Sequence, residues 1–257
     1  MYSVDMVAKK IILSNQKGGV GKTTTAVNLG AYLAQMGQKV LLIDLDSQGN
    51  LSSAVSADIK LLTSYDLITG KCTPEQAYQK TPVDNLFAIA GGIDLAGLSV
   101  ELVNELAREF FLKNALAPVE KDWDYIIVDC PPSLGLVTIN AMCWTEYVII
   151  PMQCEYFAME GLNLLMRTIA NVKKQLNQRL EILGIVFTMF AVRTRLANDV
   201  VDDVTAYFSD KVFETKIPRN VRLSEAPSHG LPINLYDSTS AGALGYESLA
   251  QEVIARV

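Results

Sequence analysis

Short apolar runs recur along the chain at 10–14, 39–45, 86–90, 124–129, 147–152, 181–189 and 212–217. Apolar at nearly every position and rich in Ile, Val and Leu, they predict strands buried on both faces rather than strands with one wet face. After the first run, Thr23 to Met36 spaces Ala26, Val27, Leu33 and Met36 along a helix that stops at Gly37. Strand and helix alternate in this way to the end of the chain. The pattern predicts an α/β fold, a mostly parallel, doubly wound sheet with helices on both faces. Ligands of such sheets sit beyond the carboxyl ends of the strands. No internal repeat or low-complexity linker breaks the alternation. One domain is expected over 10–257, after a short disordered start at 1–9.

Composition narrows the class. The 257 residues are half hydrophobic, enough for one sizeable core. No apolar run reaches membrane-spanning length and no secretory leader is visible, so a cytoplasmic protein is expected. The net charge of −6 argues against a chain coated in positive charge but leaves room for a local basic patch. Cys72, Cys130, Cys143 and Cys154 are far apart, with no C-x-x-C pair. They read as reduced core thiols, not as a metal site or disulfide frame.

The candidate chemistry begins at Lys17-Gly18-Gly19-Val20-Gly21-Lys22-Thr23-Thr24, between the first strand and its helix. A glycine-rich turn lets successive N–H groups face phosphate oxygens, and the helix that follows adds its positive end. In such a loop Lys22 reaches the β- and γ-phosphates and Thr23 ligates Mg²⁺. The extra Lys17 sets the motif apart. The segment resembles the deviant Walker A loop of the ParA/MinD group of P-loop ATPases. That resemblance implies a single-domain P-loop NTPase that binds ATP and Mg²⁺. It also implies a sandwich homodimer in which Lys17 reaches the partner's nucleotide.

Two further strand ends fit this reading. The second strand runs into Asp44-Leu45-Asp46-Ser47-Gln48-Gly49-Asn50. Aspartates at i and i+2 of an extended chain point the same way. The stretch resembles the D-x-D-P-Q-x-N segment of ParA proteins, which implies that Asp46 polarises the attacking water. Asp44 then supports Mg²⁺ and Thr23 from behind. Ser47 stands where the family usually has proline. The run 124–128 ends in Asp129-Cys130-Pro131-Pro132, a Walker B pattern whose carboxylate holds a magnesium-bound water.

Three later stretches carry the rest of the resemblance. Gln153-Cys154-Glu155-Tyr156-Phe157-Ala158-Met159-Glu160-Gly161-Leu162 is similar to a ParA/Soj segment near the dimer interface. Thr188 to Arg195 and Ile217 to Ser228 resemble the T-M-x-x-x-R-T and I-P-R-N-x-x-L-x-E-A-P segments of chromosomal ParA (Soj) proteins. Ala191 departs from the Asp or Gly common there. By that resemblance Pro218 helps frame the adenine. Met189, with Phe190, reads first as core, and Met189 stays a candidate nucleotide contact. Arg193, Arg195, Arg219 and Arg222 form a candidate patch for non-specific double-stranded DNA, since arginine pairs with phosphate oxygens. Ordinary solvated charges, or partners for Asp199, Asp202 and Asp203, are the plainer reading of the same arginines. His229 reads as a turn residue.

The function implied is a slow, Mg²⁺-dependent ATPase of chromosome or plasmid segregation, associated with the nucleoid and stimulated by a ParB/Spo0J-type centromere-binding protein. A MinD-type membrane ATPase is the main competitor, but such proteins end in a basic amphipathic helix. Here 243–257 carries two glutamates and one arginine and reads as a helix packed on the domain, so no membrane partner is expected. A metabolic or cofactor-assembly ATPase on the same fold is the other alternative. Its clustered cysteines are missing.

Overall fold

The computed structural model describes residues 8–155 and 158–257. Most of the expected disordered start, at 1–7, lies outside the described residues, as do Tyr156 and Phe157. The N-terminal half contains β1 (Lys9–Leu13), α1 (Lys22–Gln35), β2 (Val40–Asp44), α2 (Asn50–Ala54), α3 (Ser64–Ile68), α4 (Pro74–Ala77), β3 (Gln79–Lys80), β4 (Leu86–Ile89), α5 (Leu98–Glu101) and α6 (Phe111–Leu116). Then follow β5 (Tyr125–Asp129), α7 (Leu136–Trp144), β6 (Tyr147–Gln153), α8 (Ala158–Gln175), β7 (Glu181–Phe190), α9 (Arg195–Phe208), β8 (Val212–Pro218), α10 (Val221–Glu225), α11 (Ile233–Tyr236) and α12 (Ala241–Arg256).

The strands form one sheet in the order β3-β4-β2-β5-β1-β6-β7-β8. All neighbours are parallel except β3, which runs antiparallel to β4 at the edge. Each apolar run in the sequence became a strand. The exception in the other direction is β3, whose Gln79 and Lys80 carry no apolar signal and pair only through the backbone.

Period-two alternation divides the central strands between two cores. Ile12, Leu41, Ile43, Ile126 and Val128 face a layer that includes Ala141 and Met142 of α7 and Leu165 and Ile169 of α8. Ile11, Leu13, Leu42 and Ile127 face a layer built with α1 and α12. Both faces are therefore covered, as a parallel sheet requires. In α12 the residues Ala243, Tyr246, Leu249, Ala250 and Val253 are buried, so its apolar side is spent on the domain.

The register decides where chemistry can occur. Asp44 and Asp129 are direct partners at the ends of β2 and β5, and Leu13, the last residue of β1, pairs with Asp129 on the other side. Three strand ends and the loop after β1 thus meet at one place on the carboxyl edge.

Candidate functional site

The loop after β1 bends through Gly19 and Gly21, whose φ angles of 73° and 85° lie in the left-handed region that glycine adopts without penalty. Gly21 caps α1, whose first turn carries no acidic residue, so the helix N-terminus is open to an anion. Three side-chain hydrogen bonds pin the loop to neighbouring strand ends. Asn15 Nδ2 donates to the Pro151 carbonyl (2.8 Å), Gln153 Nε2 to the Gly19 carbonyl (2.8 Å) and Thr188 Oγ1 to the Val20 carbonyl (2.8 Å). With its backbone tied outward, the loop is preorganised before any ligand arrives.

Lys22 is buried, and its Nζ donates back to the Lys17 carbonyl at 3.0 Å. Burial holds its pKa below the usual lysine value, while the negative charge of Asp129 pulls in the opposite direction. The Thr23 hydroxyl donates to Asp129 Oδ2 at 2.6 Å. The other oxygen of that carboxylate, Oδ1, is buried and has no hydrogen-bond partner among the described residues. Burial first, then the charge of Asp44, pushes Asp129 up to about 8. The nearby cation, Lys22, spends its donor on the Lys17 carbonyl and leaves an oxygen of this fully buried acid unmatched.

Magnesium is a chemically suitable partner. It keeps most of its water and uses one or two protein oxygens with substrate phosphates instead of an all-protein cage. Thr23 Oγ1 and Asp129 supply such oxygens beside Lys22. The described residues hold no group of three or more His, Cys, Asp or Glu that would build a closed cage.

Asp44 and Asp46 divide sharply. Asp44 is wholly buried, and its Oδ2 accepts from the Ser52 backbone (2.9 Å) and hydroxyl (2.7 Å) while Oδ1 accepts from the Asp46 N–H (3.1 Å). Burial raises its pKa, and the Ser52 bonds oppose that rise. Its carboxylate is occupied in shaping the D-x-D loop, and it makes no hydrogen bond to Thr23. Asp46 instead lines the cleft, with one oxygen taken by the Gln48 N–H at 3.1 Å.

A cleft of about 600 Å³ gathers Gly18, Gly19, Gly21, Lys22, Thr23 and Thr24 with Asp46, Pro131, Pro132 and Met189. Next to it, sharing Gly21, Thr24 and Met189, lies a pocket of about 210 Å³ walled by Thr188, Pro218 and Tyr246. Met189 is half-buried and bridges the two spaces, so it borders the cleft and is not enclosed in the core. Its φ of 49° is left-handed, and Gln153 Nε2 lies 2.8 Å from its sulfur.

Lys17 points elsewhere. Its ammonium forms an ion pair with Glu155 of the same chain, both side chains about half exposed.

A family model described as AAA domain matches residues 8–182. The chromosome-partitioning ATPase Soj of Treponema pallidum is 56% identical over 250 residues, covering 97% of this chain and 98% of that protein. The sporulation initiation inhibitor protein Soj of Bacillus subtilis is 52% identical, covering 97% and 99%. The chromosome partitioning protein ParA of Caulobacter vibrioides is 47% identical, covering 96% and 94%. The chain belongs to the Soj/ParA family. Solved structures agree in fold. Cobyrinic acid a,c-diamide synthase from Mycobacterium smegmatis, with a bound ATP analog and magnesium, superposes with a TM-score of 0.83 at 35% identity, over 95% of this chain and 93% of that one. A putative plasmid partition protein from Borrelia burgdorferi bound to AMPPNP gives 0.84 at 25% identity, over 97% and 100%.

The four arginines of the Soj/ParA-like stretches come from two adjacent strand ends, Arg193 and Arg195 after β7, Arg219 and Arg222 after β8. The Arg219 N–H donates to the Phe190 carbonyl at 3.3 Å, which ties the two ends together. Their partners differ. Arg222 is engaged by Glu225 (2.8 Å) and Asp237 (3.5 Å), and Arg195 by Asp199 (3.7 Å). Arg193 and Arg219 have no ion-pair partner among the described residues. His229 sits in the turn before Gly230 and stacks on Tyr236.

Some site contacts carried no local signal. Gln153 and Thr188 open two of the Soj/ParA-like stretches, but they grip the loop only because strand order brings them to it. Gly91, after β4, makes another such contact: a Cβ there would lie 2.8 Å from Asp44 Cγ and 2.9 Å from the Asp46 carbonyl. A pair of glycines following a strand was the one available hint.

Proposed function

We propose that the protein is a Mg²⁺-dependent ATPase that partitions chromosomes or plasmids, switching with its nucleotide between a DNA-holding dimer and a released monomer. The observation that carries this reading is one cradle: Lys22, Thr23 and Asp129 around an open helix N-terminus, with Asp46 across the cleft, in a chain that matches Soj/ParA proteins along nearly its whole length.

Phosphoryl transfer needs positioning and charge neutralisation more than covalent chemistry. The loop N–H groups and Lys22 hold the phosphates, and the base lies against Met189 and Pro218. Asp46 orients the attacking water. Thr23 and Asp129 would hold magnesium beside Lys22, where it would supply positive charge to the phosphates. Lys17 leaves Glu155 and crosses to the nucleotide of a second copy, so the exposed ion pair is exchanged for one made only in the dimer. Such a pair is weak in water, which makes the exchange cheap.

Two copies bring two arginine edges to one duplex, and bivalent binding gains affinity that one edge lacks. A ParB-type partner raises turnover and releases the DNA, and the protein works at the nucleoid. The last helix, α12, keeps Ala243, Tyr246, Leu249, Ala250 and Val253 buried on the domain, which favours this reading over the MinD type.

Retention of a random-sequence duplex with ATP, with ADP and without nucleotide, across a salt series, tests the switch. Retention with ATP alone, falling steeply with salt, is expected. Equal retention in all three states refutes nucleotide control, and ATP dimers that bind lipid vesicles but no DNA return the reading to the MinD type.

A further inference from the structure

The last residue pair of the β6–β7 ladder is Gln153 and Thr188. Both side chains turn to the loop after β1, and they take consecutive carbonyls. Gln153 Nε2 donates to the Gly19 carbonyl and the Thr188 hydroxyl to the Val20 carbonyl, each at 2.8 Å. The Thr188 hydroxyl also lies 3.3 Å from the Met152 carbonyl, but it has one proton and the shorter contact takes it. Thr188 is only 2% exposed and backs the loop closely: a Cβ on Gly21 would lie 3.6 Å from its side chain.

These bonds also fix the far side of each peptide. A trans peptide is planar and sends its carbonyl and its N–H in opposite directions. The Gly19 carbonyl shares a plane with the Val20 N–H, and the Val20 carbonyl with the Gly21 N–H. None of the described peptide bonds is cis. Two carbonyls held at the strand ends therefore turn two consecutive N–H groups the other way, toward the cleft that Gly19 and Gly21 line. Successive N–H groups facing one concavity form an anion site. The Val20 and Gly21 N–H groups donate to no protein atom among the described residues, whereas the Lys17 N–H at the start of the loop is spent on Asn15 Oδ1 (3.0 Å). Val20 is buried, and a backbone donor in such a place is kept for a partner.

Gln153 has a second hold. Its Nε2 also lies 2.8 Å from the sulfur of Met189, the residue that borders both the cleft and the adjoining pocket. Met189 has a left-handed φ of 49°, which a residue other than glycine keeps only where its surroundings hold it. Thr188 thus serves the loop alone, and Gln153 serves the loop and the wall of the pocket.

We propose that Gln153 and Thr188 are positioning residues for nucleotide binding. By holding the Gly19 and Val20 carbonyls away from the cleft they aim the Val20 and Gly21 N–H groups at the phosphates, and Gln153 also steadies Met189 against the base. The inference rests on the nucleotide reading of the cleft given above.

The test compares the full wild-type chain with Thr188→Val, Thr188→Ser and Gln153→Leu, using ADP with Mg²⁺ as the probe. Valine keeps the shape of Thr188 without its hydroxyl, and serine restores the hydroxyl. Melting temperatures without nucleotide verify folding. Gln153 is only half-buried, so Gln153→Leu keeps the comparison decisive if Thr188→Val unfolds. ADP affinity should fall about tenfold in Thr188→Val and in Gln153→Leu, the scale of one hydrogen bond to a charged group, and recover to within about twofold in Thr188→Ser. NMR of the bound ADP separates aim from general packing. In Thr188→Val the phosphorus resonances should shift while the adenine proton resonances stay in place, and in Gln153→Leu both should shift. Wild-type affinity in either of these two variants overturns the role of that side chain. Equal displacement of phosphorus and adenine resonances in Thr188→Val, or no recovery with serine, overturns the aiming role of Thr188. A shift confined to phosphorus in Gln153→Leu overturns the Met189 half alone. A wild type that binds neither ADP nor ATP condemns the nucleotide reading itself, whereas one that binds while both variants match it condemns only the positioning.

Discussion

The cleft and the arginine edge sit side by side on the carboxyl end of the same sheet, yet they are built on opposite terms. In the cleft, Lys22, Asp44 and Asp129 are buried, and Asp44 and Lys22 each have a defined partner. Along the edge, Arg193, Arg195 and Arg219 stand in solvent, and Arg222 and Arg195 already have carboxylates beside them. A buried charge acts strongly because water cannot screen it, and it needs a fixed partner for the same reason. An exposed charge acts weakly, tolerates its neighbours, and gains force only by number. One region is suited to chemistry that must be repeatable. The other suits an attachment that must let go.

Breaking the cleft should therefore cost far more than breaking the edge. Lys22→Ala removes the cation from a buried phosphate site, a loss of roughly 2–5 kcal/mol for such a charge-assisted interaction. ATP affinity, measured with a fluorescent nucleotide, should fall about a hundredfold or more, and normal nucleotide-dependent dimerisation in that variant would sink the phosphate-loop assignment. Asp46→Ala should keep ATP affinity and slow hydrolysis by about 10²–10⁴-fold, the usual worth of a positioned base or water-orienting group. A variant that hydrolyses at the wild-type rate removes Asp46 from that role. Smaller is Gly91→Ala. Its methyl meets the Asp44 carboxyl carbon and the Asp46 carbonyl, and overpacking of this kind costs roughly 1–3 kcal/mol. A lowered melting temperature with slower hydrolysis is expected, and a melting temperature equal to wild type would show that the loop has room to yield.

The same contrast explains what could be read from the chain. The seven apolar runs declared their strands because burial on both faces leaves a continuous signal, and β3 was silent because two polar edge residues pair through backbone alone. Lys22, Thr23, Asp46 and Asp129 were legible because each lies on a short motif whose spacing is set by a local turn. The division of labour between the two aspartates was only half legible. The i, i+2 spacing places both at the strand end, but it is Ser52, eight residues on, that occupies Asp44. Thr188, Gln153 and Gly91 act across strand order, which no local pattern encodes. The arginines were visible as charges. Their partners were not, since Asp237 meets Arg222 only after the chain has turned back through α11.

That pairing supplies the finest discrimination between the arginines themselves. If the edge works by free charge, Arg219→Glu should weaken ATP-dependent DNA retention more than Arg222→Glu, because Arg219 has no carboxylate to lose while Arg222 is already shared between Glu225 and Asp237. The salt dependence of retention separates the two. Each phosphate that is no longer neutralised lowers the slope of log affinity against log salt by about 0.9, so Arg219→Glu should flatten the slope by about that amount and Arg222→Glu by less. Glu225→Gln should act in the reverse direction, freeing Arg222 and raising retention by less than about fivefold, the scale of an exposed ion pair. Duplex retention measured at three salt concentrations distinguishes these outcomes. An Arg222→Glu loss equal to or larger than that of Arg219→Glu would mean that Glu225 and Asp237 hold the Arg222 guanidinium ready for phosphate, and that an exposed charge can be preorganised after all.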